Sequence, residues 1–192
     1  EHNLYPLRYN QAAAEITTRI TGAHLIWARS AWAGSQRYPL HWGGDAENTN
    51  SAMAATLRGG LSFGLSGCTY WSPDVGGWAY GDAFMADFRR TVELRYRLMP
   101  YLYAQAVRSS AEGHPMLRTL FFEFPDDPTS WLIEDQYMLG EALLVAPLFA
   151  DNARARQVYL PPGTWIDYQS GQVYEGARWH TIEAGAVPII VL

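Results

Sequence analysis

The texture of this chain changes once along its length, and that change limits what it can fold into. Up to about Gly113, short apolar runs alternate with stretches of helical periodicity. From about Leu143, brief strands follow one another, punctuated by Pro161-Pro162-Gly163 and Ser170-Gly171. Alternating strand and helix builds a parallel sheet or barrel, whereas a meander of strands builds an antiparallel one. The pattern predicts an α/β unit joined to an all-β unit.

In the first part, residues 2–20 place Leu4, Leu7, Ala12, Ile16 and Ile20 at helical spacing, able to share one face. Residues 24–31 read as a short buried strand. Residues 33–50 read as irregular, and 51–63 as a helix with Met53, Leu57 and Leu61 in register. A second strand over 68–72 runs into the turn Asp74-Val75-Gly76-Gly77. Residues 84–108 predict a long helix kinked at Pro100. Its Arg89, Arg90, Arg95 and Arg97 suit a solvated or ion-paired face better than a binding patch. Residues 116–124 read as extended, and strands are expected at 143–149, 157–160, 164–168 and 187–192.

Composition excludes several functions. With 48% hydrophobic and 17% charged residues, the chain can bury a core and is not disordered. Fourteen basic residues, all Arg, against nineteen acidic ones give a net charge of −5, so nothing draws it to nucleic acid or anionic lipid. No apolar run approaches membrane-spanning length. Cys68 is the single cysteine, which excludes an intrachain disulfide, and the five His lack metal-ligand spacing. Phosphate-loop, dinucleotide and nucleophile-elbow patterns are missing. Eight Trp and twelve Tyr suit either a large aromatic core or a surface that stacks on sugar rings.

Both expected strands of the first part end in polar groups: Arg29-Ser30 after one, Ser72-Pro73-Asp74 after the other. A barrel of parallel strands carries its active site at those ends. Asp45 sits in His41-Trp42-Gly43-Gly44-Asp45, where two glycines permit a tight turn and Trp42 offers an apolar wall. Shielding against such a wall holds a carboxyl protonated, ready to donate to a leaving-group oxygen. An Asp after Gly-Gly is equally at home as a turn residue. Asp74 could bind hydroxyls, serve as a second carboxylate or cap its turn. Arg29 could fork onto paired hydroxyls, hold a carboxylate ionised or form a structural ion pair.

Taken in order, Ala28-Arg29-Ser30, Ala33-Gly34-Ser35-Gln36-Arg37-Tyr38-Pro39, His41-Trp42-Gly43-Gly44-Asp45, Leu57-Arg58-Gly59-Gly60-Leu61-Ser62 and Trp71-Ser72-Pro73-Asp74-Val75-Gly76-Gly77-Trp78 closely resemble glycoside hydrolase family 31. This is the family of α-glucosidases and α-xylosidases. Phe124-Pro125-Asp126-Asp127-Pro128, Asp135-Gln136-Tyr137-Met138-Leu139-Gly140 and Leu143-Leu144-Val145-Ala146-Pro147 extend the resemblance over nearly the whole chain. It implies the C-terminal half of a (β/α)8 TIM barrel over 1–125, then a small all-β sandwich over 126–192. It also implies a retaining hydrolysis run by two carboxylates without metal or organic cofactor, acting on terminal α-linked xylose or glucose of an oligosaccharide.

By motif position, Asp45 matches the family's acid/base. Arg29, Trp42 and Asp74 match residues lining the subsite for the non-reducing sugar, and Trp78 an aromatic position beside it. Trp71 joins them as a candidate sugar contact. Two departures matter. Nothing here matches the family's nucleophile Asp, which the resemblance places upstream of Glu1. The segment that the resemblance places after the Trp78 region, with its sugar-binding His, has no match in this sequence, because Trp78 is followed almost at once by the long helix. The expectation is therefore a chain that is marginally stable and catalytically silent by itself. The alternatives are a non-catalytic carbohydrate-binding remnant using Trp42, Trp71 and Asp74, or a transglycosidase or lyase on the same scaffold. Gln36-Arg37-Tyr38-Pro39 before His41 looks more like the α-xylosidase branch. The sequence is silent on oligomeric state; for location it offers only compatibility with a cytoplasm.

Overall fold

A computed structural model of the chain describes residues 1–38, 40–74, 81–187 and 189–192, with backbone alone at 81–83. The first element is helix α1 (Leu4–Thr21), closed by Gly22, whose φ of 80° lets its N–H reach back to the Thr18 carbonyl. Backbone hydrogen bonds then join residues 26–28 to 40–42: Leu40 N–H to Ile26, Ala28 N–H to Leu40 and Trp42 N–H to Ala28. Strand β1 (His41–Trp42) continues this ladder in parallel onto β2 (Trp71–Ser72), with His41 opposite Trp71 and Trp42 opposite Ser72. Helix α2 (Asn50–Leu65) is the crossover between them, started by Thr49, whose hydroxyl accepts from the Ala52 N–H. These three parallel segments are the barrel portion of the chain.

Helices α3 (Gly81–Arg97) and α4 (Met99–Glu112) lead into the second portion. Residues 84–108 are thus two helices and not one kinked helix. Pro100 sits in the first turn of α4, where a missing N–H costs nothing, and the break falls just before it. The four arginines of α3 are exposed, and Arg90 pairs with Asp87 at 2.7 Å.

The second portion is antiparallel. Strands β3 (Leu117–Arg118), β4 (Tyr137–Leu139), β5 (Leu143–Pro147) and, at the far end of the chain, β10 (Ile189–Val191) form a sheet of order β10-β5-β4-β3. Strand β6 (Ala155–Leu160) pairs with β9 (Arg178–Glu183), and β7 (Thr164–Ile166) with β8 (Val173–Glu175). A short helix, α5 (Leu120–Glu123), and a 3-10 turn (Pro128–Leu132) fill the step between β3 and β4. Residues 116–124, expected to be extended, are therefore mostly helical after Arg118. Strand β3 precedes the expected boundary at 125/126 yet already belongs to the sheet of the second portion.

The main core lies in this antiparallel part. Leu120, Met138, Leu144, Val158, Leu160, Ile182 and Ile190 are almost wholly buried in one cluster. Gln136 fastens it: its amide donates to the Tyr159 carbonyl and accepts the Tyr159 N–H, taking the place of a missing strand neighbour. A smaller cluster of Leu94, Val187 and Val191 seats α3 on β10. Tyr101 of α4 donates to the Leu139 carbonyl and accepts the Ala142 N–H, so the helices grip the sheet at a second point.

The barrel portion is far more open. Among the described residues, the segment expected as a buried strand over 24–31 pairs at 26–28 alone, and Leu25 and Trp27 are 59% and 66% exposed because no described residue covers them. The face of α1 named by its periodicity is also turned outward. Leu4, Ile16 and Ile20 are exposed, while Asn10 and Ala14 are buried against the 30–35 loop, where the Asn10 amide donates to the Ser30 carbonyl at 3.1 Å.

Candidate active site

The site is assembled at the carboxyl ends of the three parallel segments. Arg29 leaves the first, Trp42 closes the second and Asp74 follows the third. Gly44, at φ 84°, reverses the chain after Trp42, and a Cβ there would press on the Arg29 guanidinium at 3.3 Å. That turn delivers Asp45 to Arg29: Nη1 of Arg29 donates to Oδ2 of Asp45 at 3.0 Å. The guanidinium lies 5.0 Å from the Trp42 ring centre. The same indole donates from Nε1 to Oδ1 of Asp74 at 3.0 Å. One tryptophan therefore bridges the two carboxylates, holding one directly and the other through an arginine.

Arg29, Trp42, Asp45 and Asp74 are thus brought together. Trp71 stands to one side, against α2. A Cβ on Gly60 would fall 1.6 Å from its ring, so only glycine at 60 admits the indole. It borders Trp42 across a cleft of about 290 Å³ that Phe63, Thr56 and Gly59 also line. Trp78 lies outside the described residues. One sequence expectation needs correcting. Trp42 does not shield Asp45, whose side chain is 70% exposed, because the indole edge is taken by Asp74 and its face by Arg29. An ion pair this exposed contributes about 0–1 kcal/mol to folding, so it orients Asp45 without anchoring the fold.

Two supports were not singled out from sequence. His41 is buried with its ring edge-on to Phe63 of α2 at 5.3 Å, and burial pushes its imidazole below the ordinary value. It fixes β1 one residue before Trp42. Gly60 does the same for β2 through Trp71, and the Gly59-Gly60 pair inside a helical period was the available signal. Among the described residues, no group of three His, Cys, Asp or Glu could hold a metal ion, and no helix is long and apolar enough to cross a membrane.

Parallel strands ending in paired carboxylates, a guanidinium and an indole, followed by an antiparallel β-unit, have the layout of a barrel-type glycoside hydrolase. The chain belongs to glycosyl hydrolase family 31: residues 1–82 match the family's TIM-barrel domain and residues 113–191 its C-terminal domain. It is 36% identical to an alpha-xylosidase of Emericella nidulans over 99% of its own length and 30% of that protein's. It is 27% identical to alpha-glucosidase 2 of Bacillus thermoamyloliquefaciens, over 99% of the chain and 29% of the relative. A family 31 alpha-xylosidase from a soil metagenome, solved with xylose, superposes with a TM-score of 0.90 at 31% identity, covering 98% of this chain and 37% of that one. A Flavobacterium johnsoniae dextranase solved with isomaltotriose gives 0.92 at 28% identity, covering 99% and 29%. The chain thus spans about a third of the length of the relatives it matches. The Emericella alignment also runs over 238 positions against 192 residues here, so at least 46 of its positions have no counterpart in this chain.

Proposed function

We propose that these residues form the acid/base half of a retaining α-glycosidase that removes terminal α-linked xylose or glucose from oligosaccharides. Asp45 protonates the glycosidic oxygen and then draws the proton from water, while a nucleophilic carboxylate from outside these residues carries the covalent glycosyl intermediate. Arg29 and Asp74 bind hydroxyls of the non-reducing sugar and Trp42 packs against its ring. Trp71, across the cleft from Trp42, adds a second aromatic face, and Trp78 is a further sugar contact by its motif position alone. The observation that carries this reading is the Arg29–Asp45 and Trp42–Asp74 pairing at the strand ends. Identity to alpha-xylosidases of Emericella nidulans and Lactiplantibacillus pentosus, 36% and 33%, favours xylose.

The test is kinetic, on the parent protein and on the isolated chain, with aryl α-xylosides and aryl α-glucosides. Asp45→Ala should lower kcat most for poor leaving groups, by about 10²–10⁴-fold, with azide restoring turnover of activated substrates. Equal loss across all leaving groups would remove Asp45 from the acid/base role. The isolated chain should be silent, and turnover by it would overturn the division into halves. Two other readings each have an observation behind them. The unmatched positions favour a carbohydrate-binding remnant, seen as sugar binding without turnover in the parent. An isomaltosyltransferase of Sporosarcina globispora, 27% identical, favours transfer, and product analysis with a sugar acceptor separates that from hydrolysis. A lyase on this scaffold would release an unsaturated product in the same analysis.

A further inference from the structure

At the opposite end of the parallel segments, where the chain enters them, a cleft of about 510 Å³ lies between α1 and the 34–38 loop. Arg19, His24, Arg37 and Tyr38 line it, with Glu15 at its edge. His24 precedes the first segment and Tyr38 precedes β1, so this cleft is separate from the site at the strands' far ends. The Arg37 side chain is held in place, its Nε donating to the Gly34 carbonyl at 3.2 Å. Among the described residues, neither Arg19 nor Arg37 joins an ion pair, although the chain carries net charge −5. The Glu15 carboxylate accepts from Gln11 at 3.0 Å. Two guanidiniums and an imidazole facing one cleft with a single carboxylate leave an excess of donors and positive charge. Arg is the side chain whose planar fork fits phosphate oxygens. The volume lies within the range of small-molecule sites, and well above the space one small ion needs.

The geometry points to an anion site at this end of the barrel segment, taking a small phosphate monoester or free phosphate. Arg19 and Arg37 grip the phosphoryl oxygens, and Tyr38 and His24 donate at the rim. The site is independent of the glycosidase reading, and neither stands or falls with the other.

The experiment is a titration of the chain with inorganic phosphate and, separately, a hexose monophosphate, at fixed ionic strength with chloride as control. Melting temperature and the arginine Nε–Hε resonances are the readouts. Saturable, phosphate-dependent shifts are expected, weakened at least about tenfold in R19Q/R37Q. Thr18→Glu, which adds a carboxylate to the lining and keeps both arginines, should weaken them similarly and serves if R19Q/R37Q does not fold. Tighter binding of the hexose monophosphate would assign the site to the ester, and equal binding to free phosphate. A response no larger than that to chloride, or one retained in R19Q/R37Q and in Thr18→Glu, would overturn the proposal. If Arg19 served only the carboxyl end of α1, its loss would lower stability equally with and without phosphate, which also counts against the site.

Discussion

The two portions of the chain differ in where their apolar residues go. In the antiparallel portion, Met138, Leu144, Leu160 and Ile190 lose all contact with solvent, and Gln136 and Tyr159 exchange hydrogen bonds in place of a neighbouring strand. In the barrel portion, Leu25, Trp27, Ile16 and Ile20 are more than half exposed, and among the described residues up to 74 the buried hydrophobic side chains are Ala14, Leu61 and Cys68. A β-unit of this kind closes on itself within about 80 residues. Consecutive strands of a barrel bury their faces only when the ring is complete. The first portion holds positions for chemistry and the second holds the stability, with α4 joining them: Tyr101 grips the sheet, and the Tyr70 hydroxyl from the barrel side donates to the Ala106 carbonyl.

Several substitutions would break or sharpen that contrast. The largest effect is expected from Leu144→Ala, at about 2–5 kcal/mol in urea unfolding, against about 0.5 kcal/mol or less for Ile20→Ala. Similar losses at both positions would mean that the α1 face is covered in solution. Next comes a pair of glycines. At Gly140, φ is 65° and a Cβ would lie 2.4 Å from the Tyr101 hydroxyl, inside the grip between helix and sheet. Gly140→Ala should cost about 1–3 kcal/mol. Gly60→Ala has a closer clash, yet its neighbour Trp71 is partly open to solvent and can swing away. It should cost less stability and show itself instead as a changed near-ultraviolet tryptophan signal.

Acid comes third. Burial lowers the His41 imidazole below its ordinary value of 6.5 in the folded chain, so the unfolded chain binds the proton more readily. Stability is fully present above about pH 6.5 and falls as pH drops below it, until the folded value is passed. His41→Phe should flatten this segment of a stability-against-pH curve, and an unchanged slope would show that other groups carry it. The smallest effect belongs to the exposed pair at the site. Asp45→Asn should alter folding stability by less than about 1 kcal/mol while making turnover by the parent enzyme depend steeply on the leaving group.

The sequence was most legible where local rules and tertiary structure agree. The strand ends bearing Arg29 and Asp74, the turn at Gly43-Gly44 and the switch to an antiparallel meander all follow from short-range chemistry. Periodicity was less reliable on α1. It marks a face that needs a partner without supplying one, and in this chain the available partner, the 30–35 loop, takes Asn10 and Ala14. Pro100 predicts a kink in one helix, but whether proline kinks a helix or opens a new one depends on where the preceding helix stops. The Arg118–Glu123 pair, buried between β3 and α5 with the guanidinium over Phe122, was invisible because its spacing belongs to neither helix nor strand. Asp45 is expected from the sequence against the Trp42 wall, but the indole's edge meets Asp74 and its face Arg29, because the third segment brings Asp74 to it.

The Trp42 indole touches both sides of the site, its edge on Asp74 and its face under the arginine that holds Asp45. Replacements at Asp45 and Asp74 should therefore not be additive. Each single change relaxes a bridge that the other carboxylate also uses, so the double variant loses less than the two losses combined. A scan of single substitutions would credit each carboxylate with work done jointly, and Trp42→Phe, which cuts the Asp74 link and keeps an aromatic face for Arg29, is the change that would make the two sides independent.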